Sequence, residues 1–227
     1  MSFTAIFTLS KNRFVKSGSG KSTIGRVLAK VLPHIQHLEQ DQFSGKQPAK
    51  QYANAIVRTV NAALPDDILI LTKSNHTREV REHTRDVLQS GDTQCELNLV
   101  YVVLLPLHGD VSGPATATLC LDRIYHRVWH NNLDFATAQR VIPANFQHTY
   151  ESLGDDELAD SGVVTLDMSL SRNEMLSELL TRLATLCFIS ADALQTALTQ
   201  VKSALAGIDK EDREAAASHG GSVLALN

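Results

Sequence analysis

Gly18-Ser19-Gly20-Lys21-Ser22-Thr23 stands between a β-rich apolar segment, Phe3–Leu9, and a helical pattern of Ile24, Val27, Leu28 and Val31 that stops before Pro33. Strand, glycine turn and helix in that order admit few folds. Glycines let consecutive backbone N–H groups turn into one concave space. The helix that follows adds partial positive charge beneath it. A lysine in the turn can reach the outer phosphates of a triphosphate, and the adjacent serine hydroxyl can ligate Mg²⁺. The alternative, a glycine-serine linker carrying a chance lysine, would not require a strand before it and a helix after it.

The rest of the chain continues the alternation. Ile35–Glu39 is a short strand candidate ending at Asp41, and Tyr52, Ile56, Val60 and Leu64 mark a helix closing at Pro65. Ile68–Leu71 and Leu97–Leu105 are continuous apolar runs, as expected of strands covered on both faces. Thr77–Gln89 between them is polar and helical. Residues 119 to about 150 are helical in pattern, broken at Asn131-Asn132 and Pro143. Val163–Leu166 reads as a last strand, and Asn173–Leu186 as an amphipathic helix. Ser190-Ala191-Asp192 caps a further helix expected to reach Ala206. The fold class that follows is α/β: a three-layer sandwich with a central, mostly parallel sheet and a helical lid. Three segments are expected: a domain over 1–188, a connector helix over 189–207 and a flexible tail over 208–227.

A formal net charge of −4 argues against a generally basic nucleic-acid binder, while leaving room for a local grip on one nucleic-acid end. Cys95, Cys120 and Cys187 are odd in number and widely spaced, which suits reduced thiols rather than a disulfide framework. No apolar run is long enough for a membrane span. A cytoplasmic or nuclear protein without membrane association is expected.

Phosphoryl transfer needs a base at the acceptor hydroxyl and positive charge over the transferring group. Asp41 closes the second strand, and strand C-termini face the ligand crevice in such sheets; the alternative is a solvated loop aspartate. Arg123 and Arg127, four apart on a helix, place two guanidinium groups on one face, suited to clamping phosphate or to a solvated, salt-bridged surface. His76 follows the third strand and approaches the crevice, where a lone histidine is more often a hydrogen-bonded structural residue than a general acid or base. Trp129 and Tyr125 can stack on a base or simply pack.

In order, Gly18–Thr23, His37-Leu38-Glu39-Gln40-Asp41, Lys73-Ser74-Asn75-His76, His108-Gly109-Asp110-Val111, Leu119 through Arg127 and Asp160-Ser161-Gly162 resemble the kinase module of fungal-type tRNA splicing ligases. That module belongs to the polynucleotide 5′-kinase branch of P-loop proteins. The resemblance implies a P-loop NTPase-type fold and transfer of the γ-phosphate of GTP or ATP, with Mg²⁺, to the 5′-hydroxyl of RNA in tRNA splicing or RNA repair. It makes Gly18, Ser19, Gly20, Lys21, Ser22 and Thr23 the nucleotide cradle, Ser22 the metal contact and Asp41 the base. Arg123 and Arg127 become lid arginines and His76 a substrate-positioning group. The implied partner is RNA with a 5′-hydroxyl end, a tRNA exon, and ligase and cyclic phosphodiesterase modules are possible associates. Three places depart from the pattern: Val15 replaces the first loop glycine, Thr72 stands where an acidic residue is expected, and His130-Asn131 stands where Asn-His is expected. Two other readings stay open, a P-loop kinase of a small metabolite or nucleotide, and a nucleotide- or RNA-binding module in which Val15 and Thr72 mark lost catalysis.

Overall fold

The computed structural model describes residues 2–10, 20–73, 77–92, 96–105, 113–125, 136–140, 151, 153–159 and 162–218. Five strands, β1 (Ser2–Ser10), β2 (Ile35–Glu39), β3 (Ile68–Thr72), β4 (Glu96–Leu105) and β5 (Gly162–Asp167), form one sheet in the order β2-β3-β1-β4-β5. Every pairing is parallel, with Ala5 opposite Leu69 and Leu99, and Glu39 opposite Thr72. The helices are α1 (Lys21–Val31), α2 (Pro48–Asn61), α3 (Arg78–Gln89), α4 (Gly113–Tyr125), α5 (136–140), α6 (Asp155–Ala159), α7 (Arg172–Thr185) and α8 (Ala191–Ser218).

The period of two along each strand divides the apolar residues between two cores. Ile68 and Ile70 of β3, with Val100, Val102 and Leu104 of β4, pack against Ile24 and Leu28 of α1 and Leu179 and Leu183 of α7. Leu69 and Leu71, with Leu99, Tyr101 and Val103, pack on the opposite face against Tyr52, Ile56 and Val60 of α2 and Leu88 of α3. This double coverage is why β3 and β4 are apolar at nearly every position. The three-layer α/β sandwich expected from the sequence is the observed fold.

Local signals set most element ends. Thr77 caps α3, its hydroxyl accepting from the Val80 N–H at 3.3 Å. A capping box starts α7: Ser171 accepts from the Glu174 N–H, and the Glu174 carboxylate accepts from the Ser171 N–H. At the other end of α2 the helix stops at Asn61 rather than running to Pro65, because Leu64 is 64% exposed and contributes no core contact to extend it.

The C-terminal region departs from expectation. The tail expected from residue 208 is helical as far as Ser218, since α8 runs unbroken through Gly207. A mid-helix glycine costs about 1 kcal/mol relative to alanine. Burial of Ile208 and Ala216 offsets that, and Ala197, Val201, Leu205 and Ile208 belong to the same core as α1 and α7. Beyond Gly207, Asp209 meets Arg172, while Glu211 and Asp212 meet Arg26, and Glu211 also meets Lys30, each at 2.7 Å. Such half-exposed pairs are individually weak. As a set they hold the last turns of α8 against α1 and the start of α7. Residues 219–227 lie outside the described part of the chain.

Candidate active site

The site is organised where β2 and β3 end beside the N-terminus of α1. Gly20 caps α1 with φ +93°, a left-handed conformation that disfavours any side chain, and its carbonyl accepts the first helical bond from Ile24 N–H at 2.9 Å. Lys21 opens the helix and is 6% exposed, and Thr23 is equally buried. Gly18 and Ser19 lie outside the described residues.

Strand alternation brings β2 onto this helix. Leu38 packs into the α2 core, so His37 and Glu39 point toward α1. The Ser22 hydroxyl donates to the Glu39 carboxylate. A hydroxyl whose proton is given to a carboxylate keeps its lone pairs available for a hard cation. One turn further along α1, Gly25 faces His37 so closely that any Cβ there would overlap the imidazole ring. The helix can approach β2 at this point only because residue 25 is glycine.

His37 Nε2 lies 2.8 Å from Thr72 Oγ1 across the β2–β3 register, and Thr72 is 4% exposed. Burial, and then the nearby Arg26 guanidinium, lower the His37 pKa to about 4. It is therefore neutral at physiological pH. An unfolded histidine titrates near 6.5, so the unfolded chain binds a proton between pH 6.5 and 4 that the folded chain refuses. Stability is unaffected above pH 6.5 and should fall by about 1.4 kcal/mol per unit below it, about 3 kcal/mol by pH 4. Denaturant midpoints measured across that range should show the slope, and His37→Gln should flatten it. An unchanged slope in the variant would assign the acid sensitivity elsewhere.

Asp41 sits in the 3₁₀ turn Gln40–Gln42 that continues β2, half-buried and two residues beyond Glu39. Lys73, just past β3, is half-buried, and burial lowers its pKa. Tyr52 of α2 reaches under the same strand end. Its hydroxyl is buried with no hydrogen-bond partner among the described residues, and burial, then the Glu39 charge, push its pKa up.

Arg123 comes from the last turn of α4. Its guanidinium donates to the backbone carbonyls of Met168 and, at 3.3 Å, Leu170 in the connection from β5 to α7. Cys120, one turn earlier, is fully buried; burial raises its thiol to about 11 against the opposing charges of Lys21 and Arg123. Cys120 belongs to the same buried core as Ile24 and Leu28 of α1. The thiol is protonated and inert. His76 and Arg127 lie outside the described residues, as do Val15, Trp129 and the His108–Val111 run. No cluster of three metal-ligating side chains occurs among the described residues, and no helix among them is long and apolar enough to cross a membrane.

Glu39 is the residue that sequence reasoning undervalued. It was visible within His37–Asp41, but only as part of a run. The alternation that buries Leu38 on one face already directs Glu39 to the other, toward Ser22.

A parallel sheet whose first strand precedes a helix N-terminus, with a carboxylate from the end of β2 turned toward that helix, defines a P-loop kinase-type α/β protein. The model of the tRNA ligase kinase domain matches residues 14–162, and the chain belongs to that family. Its fold is similar to the crystal structure of a fungal RNA kinase, with a TM-score of 0.65 over 88% of this chain and 97% of that one at 14% identity. A gluconokinase from Sinorhizobium meliloti 1021 aligns at a TM-score of 0.49 and 18% identity, over 80% of this chain and 92% of that one. No curated protein sequence matches the chain.

Proposed function

We propose that this protein is a polynucleotide 5′-hydroxyl kinase, transferring the γ-phosphate of GTP or ATP to the 5′-hydroxyl end of RNA in tRNA splicing or repair. The observation that carries the reading is the hydrogen bond from the Ser22 hydroxyl, at the start of α1, to the Glu39 carboxylate at the end of β2, with Asp41 following two residues on in the 3₁₀ turn. Membership of the tRNA ligase kinase domain family supports RNA as the acceptor class.

In this reading the backbone N–H groups of Gly18–Thr23 surround the nucleotide phosphates, and Lys21 places its ammonium against the outer two. The oxygen-donor pair of Ser22 and Glu39 suits Mg²⁺, Ser22 through its lone pairs and Glu39 as the acceptor that orients the hydroxyl. The metal supplies neutralisation of charge on the transferring phosphoryl group. Glu39 then provides from β2 the carboxylate that Thr72, engaged with His37, does not provide from β3. Asp41 takes the proton of the attacking 5′-hydroxyl. Arg123, Arg127 and His76 complete the set as positive charge over the phosphates and as a substrate-positioning imidazole. Ligase and cyclic phosphodiesterase modules are the natural associates of such a kinase.

Transfer of labelled γ-phosphate from GTP, and separately ATP, to a 5′-hydroxyl oligoribonucleotide tests the proposal directly. Asp41→Asn should lower kcat by roughly a hundredfold or more while leaving nucleotide affinity close to wild type, because a general base acts mainly in the transition state. Label incorporated into a small hydroxyl compound but never into RNA would assign the site to a metabolite kinase. Nucleotide bound with no transfer to any hydroxyl would assign it to a binding module.

A further inference from the structure

The kinase reading says where the 5′ end of the acceptor must sit, at Asp41, but not where the remainder of the strand goes. An open groove of about 510 Å³ begins two residues away, lined by Phe43, Gln51, Asn54, Val57 and Arg58. It lies between the turn that carries Asp41 and the outer face of α2. Phe43 belongs to that same turn: its N–H donates to the Gln40 carbonyl at 3.1 Å, closing the backbone around Asp41. Groove and proposed acceptor position are therefore parts of one local structure.

Its chemistry is specific. The Phe43 ring is half-buried and held edge-on to Tyr52, with centroids 5.6 Å apart, so its orientation is set by the core beneath it. Val57, also half-buried, continues the apolar floor. Gln51 and Asn54 expose side-chain amides along the rim, and Arg58 exposes a guanidinium at the far end. The rim is anchored locally, with Gln51 Nε2 donating to the Lys46 carbonyl at 3.1 Å and Arg58 Nε to the Asn54 carbonyl at 3.3 Å. From Gln51 to Arg58 along α2 is about 10 Å at 1.5 Å per residue. That length reaches the nucleotide that follows the acceptor and its flanking phosphates.

Charge selects the occupant. From Gln42 to Pro65 the chain contains no aspartate or glutamate but carries Lys46, Lys50 and Arg58. This local cationic stretch sits in a protein whose formal net charge is −4. An aromatic platform, side-chain amides and a guanidinium, with no carboxylate in the lining, form the combination by which single strands are bound: bases stack, amides read base edges and cations follow phosphates.

We infer that this groove is the binding track for the RNA strand 3′ of the acceptor nucleotide, with Phe43 stacking on a base near the 5′ end and Arg58, assisted by Lys50, meeting phosphates further along. The inference rests on the kinase reading for the position of the 5′ end. It adds a specificity surface outside the phosphate-transfer machinery.

The experiment compares a nucleoside 3′-monophosphate with a single-stranded oligoribonucleotide of about ten residues as acceptors, and measures binding of the longer strand separately by fluorescence anisotropy. Phe43→Ala and Arg58→Ala should each raise KM for the long acceptor about tenfold. Neither should change KM for the nucleoside 3′-monophosphate, KM for the nucleoside triphosphate or kcat. Arg58→Ala should also reduce the slope of log KM for the long acceptor against log salt by about 0.7, the loss of one phosphate contact on a single strand. Phe43→Trp should restore long-acceptor KM, which separates stacking from any loss of packing on Tyr52. Wild-type protein with equal KM for both acceptors, or variants with wild-type KM for the long one, would overturn the groove while the kinase reading stands. RNA binding that depends on Phe43 and Arg58 without transfer to any RNA would overturn the kinase reading and retain the groove. Absence of both RNA binding and transfer would overturn the two together.

Discussion

Lys21→Ala should reduce phosphoryl transfer by about a thousandfold while leaving the protein folded. Lys21 opens α1 directly after the left-handed Gly20, and its side chain is buried against the site rather than extended into water. A cation in a water-poor setting acts on developing phosphoryl charge with far more force than it would in solvent, and loss of one such donor lowers rates by about 10²–10³-fold. The effect on stability should be small, because alanine is the best helix former and the helix start retains Gly20 as its cap. The checks are kcat/KM for transfer and a thermal unfolding curve on the same preparation. A rate within a few-fold of wild type would remove Lys21 from the mechanism; a lost thermal transition would make its role structural.

The second large effect concerns the fold. Arg81 of α3 and Glu157 of α6 form a bidentate ion pair at 2.6 and 2.8 Å, with side chains 1% and 2% exposed. Arg81 also donates to the Glu151 carbonyl at 3.0 Å, and Gly154 N–H donates to Glu157 at 2.9 Å. Burial pushes the Glu157 carboxyl up, but the Arg81 and Gly154 hydrogen bonds outweigh it and hold the group below the usual carboxylate range. Arg81→Ala removes the cation and leaves a buried carboxylate without its partner, which should destabilise the protein by about 3–5 kcal/mol. For a chain of this length that corresponds to roughly 10 °C or more in Tm. Arg81→Met combined with Glu157→Leu should recover most of the loss, since an apolar pair of similar volume avoids desolvating two charges. If the double variant is as unstable as Arg81→Ala, the hydrogen bonds to the 151–157 backbone, rather than the ion pair, hold this region to α3.

The pair also illustrates a limit of sequence reading. Arg81 lies on a polar helix whose composition suggests a solvated surface, and Glu157 lies in an acidic run, Asp155-Asp156-Glu157. Nothing in either local pattern distinguishes the buried arginine from Arg78, one turn earlier, which forms half-exposed pairs with Glu82 and Asp156. The difference arises from which side of α3 the 151–159 segment covers. The α8 extension has the same origin. Gly207 and the charged residues after it carry a local stop signal, which is overridden by cations on α1 and α7 more than thirty residues away in the chain.

What the sequence determined by itself is what short-range physics encodes. The apolar runs of β3 and β4 require cover on both faces, Ser190 caps the start of α8, and the glycine-rich run before α1 carries the motif of the proposed phosphate cradle. Only the tertiary structure decided what surrounds the start of α1. It set Glu39 on Ser22, seated His37 on Gly25 with Thr72 as its partner, bound Arg123 to the carbonyls after β5 and laid the Phe43 groove beside Asp41. Periodicity specifies which face of an element is buried. The partner that meets that face is selected when distant elements pack, because contact free energies between residues remote in sequence exist only in the folded chain.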